Sequence, residues 1–139
     1  MFEEFYVEPY KQIYGTYIKN GADMIVHHCD CYAATLVPYM IEMGIKIWQG
    51  PQSTNNIPEL IEKYGEKITF MGGIDSGIVD RADWTPEKIE KVTREVCDAC
   101  GTKYFIPGAS QGLWVSTYPG VYECISEIID KISAEKFPK

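Results

Sequence analysis

Two rhythms of apolar residues alternate along the chain. Short runs such as Met24-Ile25-Val26, Ile45-Lys46-Ile47-Trp48, Ile68-Thr69-Phe70-Met71 and Tyr104-Phe105-Ile106 read as buried strands. Between them the apolar positions recur three and four apart, as Leu36, Val37, Met40 and Ile41, then Ile89, Val92 and Val96. The clearest such stripe is Val121, Cys124, Ile125, Ile128, Ile129 and Ile132, the buried face of a last helix beginning near Pro119-Gly120.

Helix stops and caps punctuate the pattern. A first helix is predicted from residue 3 to about 20, kinked or delayed at Pro9 and stopped at Asn20-Gly21. A strand over 23–29 follows, then a helix over 32–43 with Gly44 as its left-handed stop, and a strand over 45–49. After a polar turn, Asn56 caps a helix over 57–64 that ends at Gly65, with Pro58 tolerated in its first turn. A strand over 68–72 leads through a long loop to Thr85-Pro86, an N-cap and first-turn proline for a helix reaching about Cys100 and stopping at Gly101. The fourth strand covers 103–106.

The order is one helix followed by four strand–helix units in a single domain spanning 1–139. Such alternation implies parallel pairing, with helices covering the sheet and the site at the C-terminal strand ends. Four units fit a small open flavodoxin-like sheet, or half of a (β/α)8 barrel whose usual length is roughly 250 residues. Composition does not choose between them.

Charge and cysteine usage narrow the partners. A formal net charge of -7 argues against nucleic acid or an anionic membrane as partner, since phosphate binding needs a basic surface. The longest apolar run, Leu36 to Trp48, is broken by Pro38, Glu42 and Lys46, so no membrane span is expected. The start, Met1-Phe2-Glu3-Glu4, has neither a basic nor an apolar leader region. Five cysteines are an odd number, and they suit a reducing cytoplasm with thiols free or on metal.

The chemistry concentrates in Met24-Ile25-Val26-His27-His28-Cys29-Asp30-Cys31, a strand running into five side chains able to bind metal or exchange protons. Alternation puts His27, Cys29 and Cys31 on one face and His28 and Asp30 on the other. With these residues, Glu42-Met43-Gly44, Met71-Gly72-Gly73-Ile74-Asp75 and Ile106-Pro107-Gly108, the chain resembles the uroporphyrinogen decarboxylase superfamily, including its cobalamin-dependent methyltransferases. The resemblance covers the C-terminal half of that family's TIM barrel, strands five to eight with their helices. Half a barrel leaves open edges and an uncovered inner face, so a second copy or a separate N-terminal half is expected to complete it.

The resemblance implies corrinoid-dependent methyl transfer to a thiol or related acceptor, drawn from a small molecule or a corrinoid protein. It also implies zinc on His27 and Cys29, which would hold the acceptor thiol as thiolate. Where the resemblance implies a third, cysteine ligand, this chain has Ala109. The alternative without a metal is a strand end whose His and Cys pack and hydrogen-bond. Porphyrinogen decarboxylation is the alternative within the superfamily, disfavoured by scarce basic residues near the strand tips, Arg81 being the nearest. A non-catalytic half-domain that binds a tetrapyrrole or a protein is the alternative outside enzymology.

Asp75, at the third strand's tip, is a catalytic or ligand-orienting candidate, against an Asx turn that caps its loop. Gln49, Ser110 and Gln111 are the further substrate- or cofactor-binding candidates, each able instead to satisfy loop backbone. Trp48, Trp114 and Tyr118 are set to line a flat pocket or, more commonly, to anchor core and loops. Cys97-Asp98-Ala99-Cys100 has redox-motif spacing but lies at a helix C-terminus, where the dipole disfavours thiolate.

Overall fold

The four strands are parallel and lie in the order of the sequence. A computed structural model describes residues 1–112 and 115–138. Strands β1 (Val26–His28), β2 (Ile47–Gln49), β3 (Thr69–Ile74) and β4 (Phe105–Ala109) form one sheet, β1-β2-β3-β4. Sequential order with no reversal decides between the two architectures, because a doubly wound sheet places later strands on both sides of the first. The chain is an α/β fold of partial-barrel form.

Helices α1 (Glu8–Lys19), α2 (Val37–Glu42), α3 (Ile57–Tyr64), α4 (Ser76–Val79), α5 (Pro86–Cys100) and α6 (Val121–Lys136) interleave with the strands. Most expected elements are present, with different bounds. The first two strands are shorter than their apolar runs, since Ile25 and Ile45 are buried ahead of the paired segments. Pro9 sits in the first turn of α1, after a π-helical turn over Glu3–Val7, so the regular α-helix is delayed to Glu8. Asn56 precedes α3 but does not cap it by side chain; its backbone is left-handed and its Nδ2 donates to Glu59 Oε2 at 2.6 Å. Thr85 does cap α5, its hydroxyl accepting from Lys88 N at 3.3 Å. The long loop after β3 contains α4, a single turn whose apolar content is too small to show a period.

Register explains which side chains reach the helices. His27, Trp48, Phe70 and Phe105 form one row across the sheet, and His28, Gln49, Met71 and Ile106 form the next. Neighbouring rows face opposite sides of a sheet. The first row enters the helix-side core, where Trp48 and Phe70 are fully buried and meet edge to face at 6.0 Å. Trp48 is therefore core rather than pocket wall, and truncating it to alanine would cost about 3–5 kcal/mol. A second core lies under α5 and α6, where Ile74 and Ile89 meet Val121, Ile125, Ile128 and Ile132. Arg94 also joins these helices, donating through both terminal nitrogens to Glu135 at 2.8 and 2.9 Å.

The other row lies on the opposite face, which α6 borders through Tyr122 and Ile129. Val26 is 53% and Ile106 38% exposed there, flanking half-buried Ile47 and Met71. No helix among the described residues is long and apolar enough to cross a membrane.

Candidate functional site

The C-terminal ends of all four strands carry a connected polar rim. Its first member is His28, whose Nδ1 lies 2.5 Å from Gln49 Oε1 on the neighbouring strand. An amide oxygen only accepts, so the imidazole donates through Nδ1–H, and neutral His28 keeps Nε2 as an acceptor. Asp30 Oδ2 is 3.9 Å from that Nε2.

Gly50 makes the pairing possible. Its φ is +88°, and a Cβ there would stand 3.1 Å from the His28 ring and 3.5 Å from Ser110 O. The turn after β2 thus brings the ends of β1 and β4 close around a residue with no side chain.

On the β3–β4 side, Ser76 N donates to Ser110 Oγ at 3.2 Å, and Ser76 Oγ donates to Gln111 O at 2.7 Å. Ser110 and Ser76 are both buried, so these hydroxyls hold loop to loop. Gln52 Nε2 spans the rim, donating to Asp30 O at 2.6 Å and lying 3.5 Å from Gln111 Oε1. Asp75 accepts from Gly77 N at 2.9 Å, capping α4, and from Ser53 Oγ at 2.6 Å. The Asx-turn reading describes this geometry, with the second carboxylate oxygen anchoring the loop after β2.

A hollow of about 270 Å³ opens beside the rim, lined by Gln49, Met71, Gly72, Gly108, Ala109 and Tyr122 among others. A larger one, about 540 Å³, lies under Lys67 and Tyr104, away from the rim and before the N-terminal ends of β3 and β4. Strand-end chemistry belongs to the first.

His27 and Cys29 occupy the helix side. Tyr14 Oη is hydrogen-bonded to His27 Nδ1 at 2.7 Å, and Tyr10 and Tyr14 stand edge-on to the imidazole. Burial, then the neighbouring His28, pushes the His27 pKa down, while burial pushes Tyr14 up to about 12. Cys29 packs against the helix-side core, and its thiol is raised to about 11 by burial and then by its contact with Cys31. Ala109 packs against the second core and offers no donor. Among the described residues no three His, Cys, Asp or Glu side chains converge as a metal site. The donor set that the resemblance implies for zinc is therefore not assembled among the described residues.

Gln49, Ser110, Gln111 and Asp75 are thus gathered on one rim, whereas His27 and Cys29 lie on the other side of the sheet from Gln49. The parity of the strand could have singled out His28 instead, since it shares a face with Gln49. Trp114 lies outside the described residues. Tyr118 is exposed on the loop before α6, its N–H donating to Asp80 Oδ1 at 2.7 Å. Cys97 and Cys100 are buried at the end of α5, and burial pushes both thiols up, Cys100 to about 11.

Comparison with known proteins places the fold in a family. The family model for uroporphyrinogen decarboxylase (URO-D) matches residues 1–132. The chain belongs to the uroporphyrinogen decarboxylase family. Among solved structures, a methyltransferase from Methanosarcina mazei superposes with a TM-score of 0.74 at 15% identity. That match covers 96% of this chain and 37% of the methyltransferase, so the shared fold is a partial barrel. No curated protein matches the chain in sequence.

Proposed function

We propose that this chain supplies the strand-five-to-eight half of a family barrel and serves methyl transfer from a corrinoid to a thiol. The observation that carries the reading is the polar rim at the strand ends, with His28 set against Gln49. A methylated corrinoid supplies the methyl group as an electrophile, so the acceptor sulfur must first lose its proton. His28 Nε2 is the acceptor available for that proton, with Gln49 fixing the tautomer and ring orientation. Gln111 and Gln52 offer amides to the acceptor's polar groups, and Asp75 positions the loop after β2 through Ser53.

Porphyrinogen decarboxylation fits the rim less well. A substrate with many carboxylates needs cations, and Arg81 donates back to Gly77 O at 3.4 Å on its own loop. The sheet face on which Val26 and Ile106 are exposed, and the outer flank of α1, with Ile13, Tyr17 and Ile18 exposed, suit burial against further barrel strands and helices. A second copy or a separate N-terminal half would supply them. The five free thiols suit a reducing cytoplasm.

Absorbance titration with methylcobalamin and with a porphyrin tests the assignment, followed by demethylation in the presence of a thiol. Cobalamin binding and thiol-dependent demethylation, both weakened in His28→Ala, are expected. Porphyrin binding with decarboxylation and no response to cobalamin would overturn the reading.

A further inference from the structure

Beyond that function, the segment after β1 holds two sulfur atoms in a fixed relation. Cys29 Sγ and Cys31 Sγ lie 3.2 Å apart, and Cys31 is exposed. The backbone that carries them is clamped at three successive carbonyls. Trp48 Nε1 donates to Cys29 O at 2.8 Å, Gln52 Nε2 to Asp30 O at 2.6 Å, and Asn55 Nδ2 to Cys31 O at 3.0 Å. Asn55, itself buried, also accepts from Ala33 N and Ala34 N at 2.8 and 3.0 Å. Cys29 N donates to Gln49 O at 3.0 Å. The dithiol is therefore preorganised by side chains from β2 and the turn after it.

The sulfur spacing selects what can bridge the pair. A disulfide needs the sulfurs at about 2.0 Å, closer than the 3.2 Å found here. An atom bonded to both sulfurs at about 2.3 Å, the usual length for a bond to thiolate, spans about 3.3 Å at a right angle and about 3.8 Å at the tetrahedral angle. The observed distance matches the right angle. A tetrahedral metal would need a wider pair and two more donors, and no third His, Cys, Asp or Glu donor joins the pair among the described residues. A pyramidal centre that brings its own third substituent needs only the two thiols.

We propose that Cys29 and Cys31 form a two-thiol binding site for trivalent arsenicals. With a monosubstituted arsenical oxide the balance is simple. Two arsenic–sulfur bonds form, the arsenic–oxygen bond breaks, and the two thiol protons leave with that oxygen as water. Arsenic stays trivalent and nothing is oxidised or reduced.

The test is titration of the reduced full chain with phenylarsine oxide, followed by alkylation and peptide mapping to show which cysteines are protected. One equivalent should bind and protect Cys29 and Cys31, and a dithiol should remove it where a monothiol does not. Cys31→Ser alters an exposed position, and circular dichroism is to check its fold. It should weaken binding on the order of a hundredfold, because the second bond loses its intramolecular advantage. Undiminished affinity in Cys31→Ser, protection of Cys97 and Cys100 instead, or no protected thiol would each overturn the proposal.

Discussion

His28 Nδ1 and Gln49 Oε1 meet at 2.5 Å across the β1–β2 ladder, on the sheet face opposite the core that buries Trp48 and Phe70. The contact depends on Gly50, whose missing side chain leaves room for the imidazole. Gly50→Ala should therefore displace the ring and strain a backbone at φ +88°. A loss of about 1–3 kcal/mol is expected in chemical denaturation. Imidazole nitrogen resonances in NMR spectra should show His28 released from its single tautomer.

The His27–Tyr14 pair predicts a plateau of stability with pH. The folded pKa of His27 lies below its ordinary 6.5, so between those two values the unfolded chain binds more protons. Stability should fall as pH drops through 6.5 and level off below the folded value. Tyr14 is raised from 10.0 to about 12, so above pH 10 the unfolded chain loses its proton first and stability should fall again. Denaturant midpoints measured across pH in the wild type, His27→Phe and Tyr14→Phe check both arms. The acid arm should flatten in the first variant; the alkaline arm should shrink in the second, leaving the part set by the raised thiols of Cys29, Cys97 and Cys100.

Thr93 is fully buried on α5, and its hydroxyl has no hydrogen-bond partner among the described residues. Replacing that hydroxyl by a methyl group of the same shape removes the desolvation cost. Thr93→Val should stabilise the chain by about 1 kcal/mol, read as a higher denaturant midpoint with an unchanged slope.

Exposed apolar residues on the inner face predict association if a second copy completes the barrel. Val26→Lys and Ile106→Lys each place a charge where β1 and β4 present an uncovered side chain. Light scattering should show a dimer for the wild type and monomers for both variants, with unchanged circular dichroism. A monomeric wild type would leave a separate N-terminal half as the remaining way to cover that face.

Much of the fold is legible in the residue order, because period and punctuation are local properties. The apolar runs and the stripe from Val121 to Ile132 mark strands and last helix, and Thr85-Pro86 marks where α5 begins. The family is legible too, from short motifs at the strand ends. Strand ends were less so, since burial at Ile25 and Ile45 precedes the paired segments and looks the same in sequence. Alternation correctly separates His27 from His28 but cannot say which parity faces the helices. That depends on where Tyr10, Tyr14 and Trp48 pack, residues brought together only by the tertiary structure. The same holds for the 3.2 Å between Cys29 and Cys31, which is held by three side chains from beyond the motif. Sequence determined the elements, their order and their chemistry; the packed sheet decided which side each reactive group faces, because a side is defined only once something covers the other.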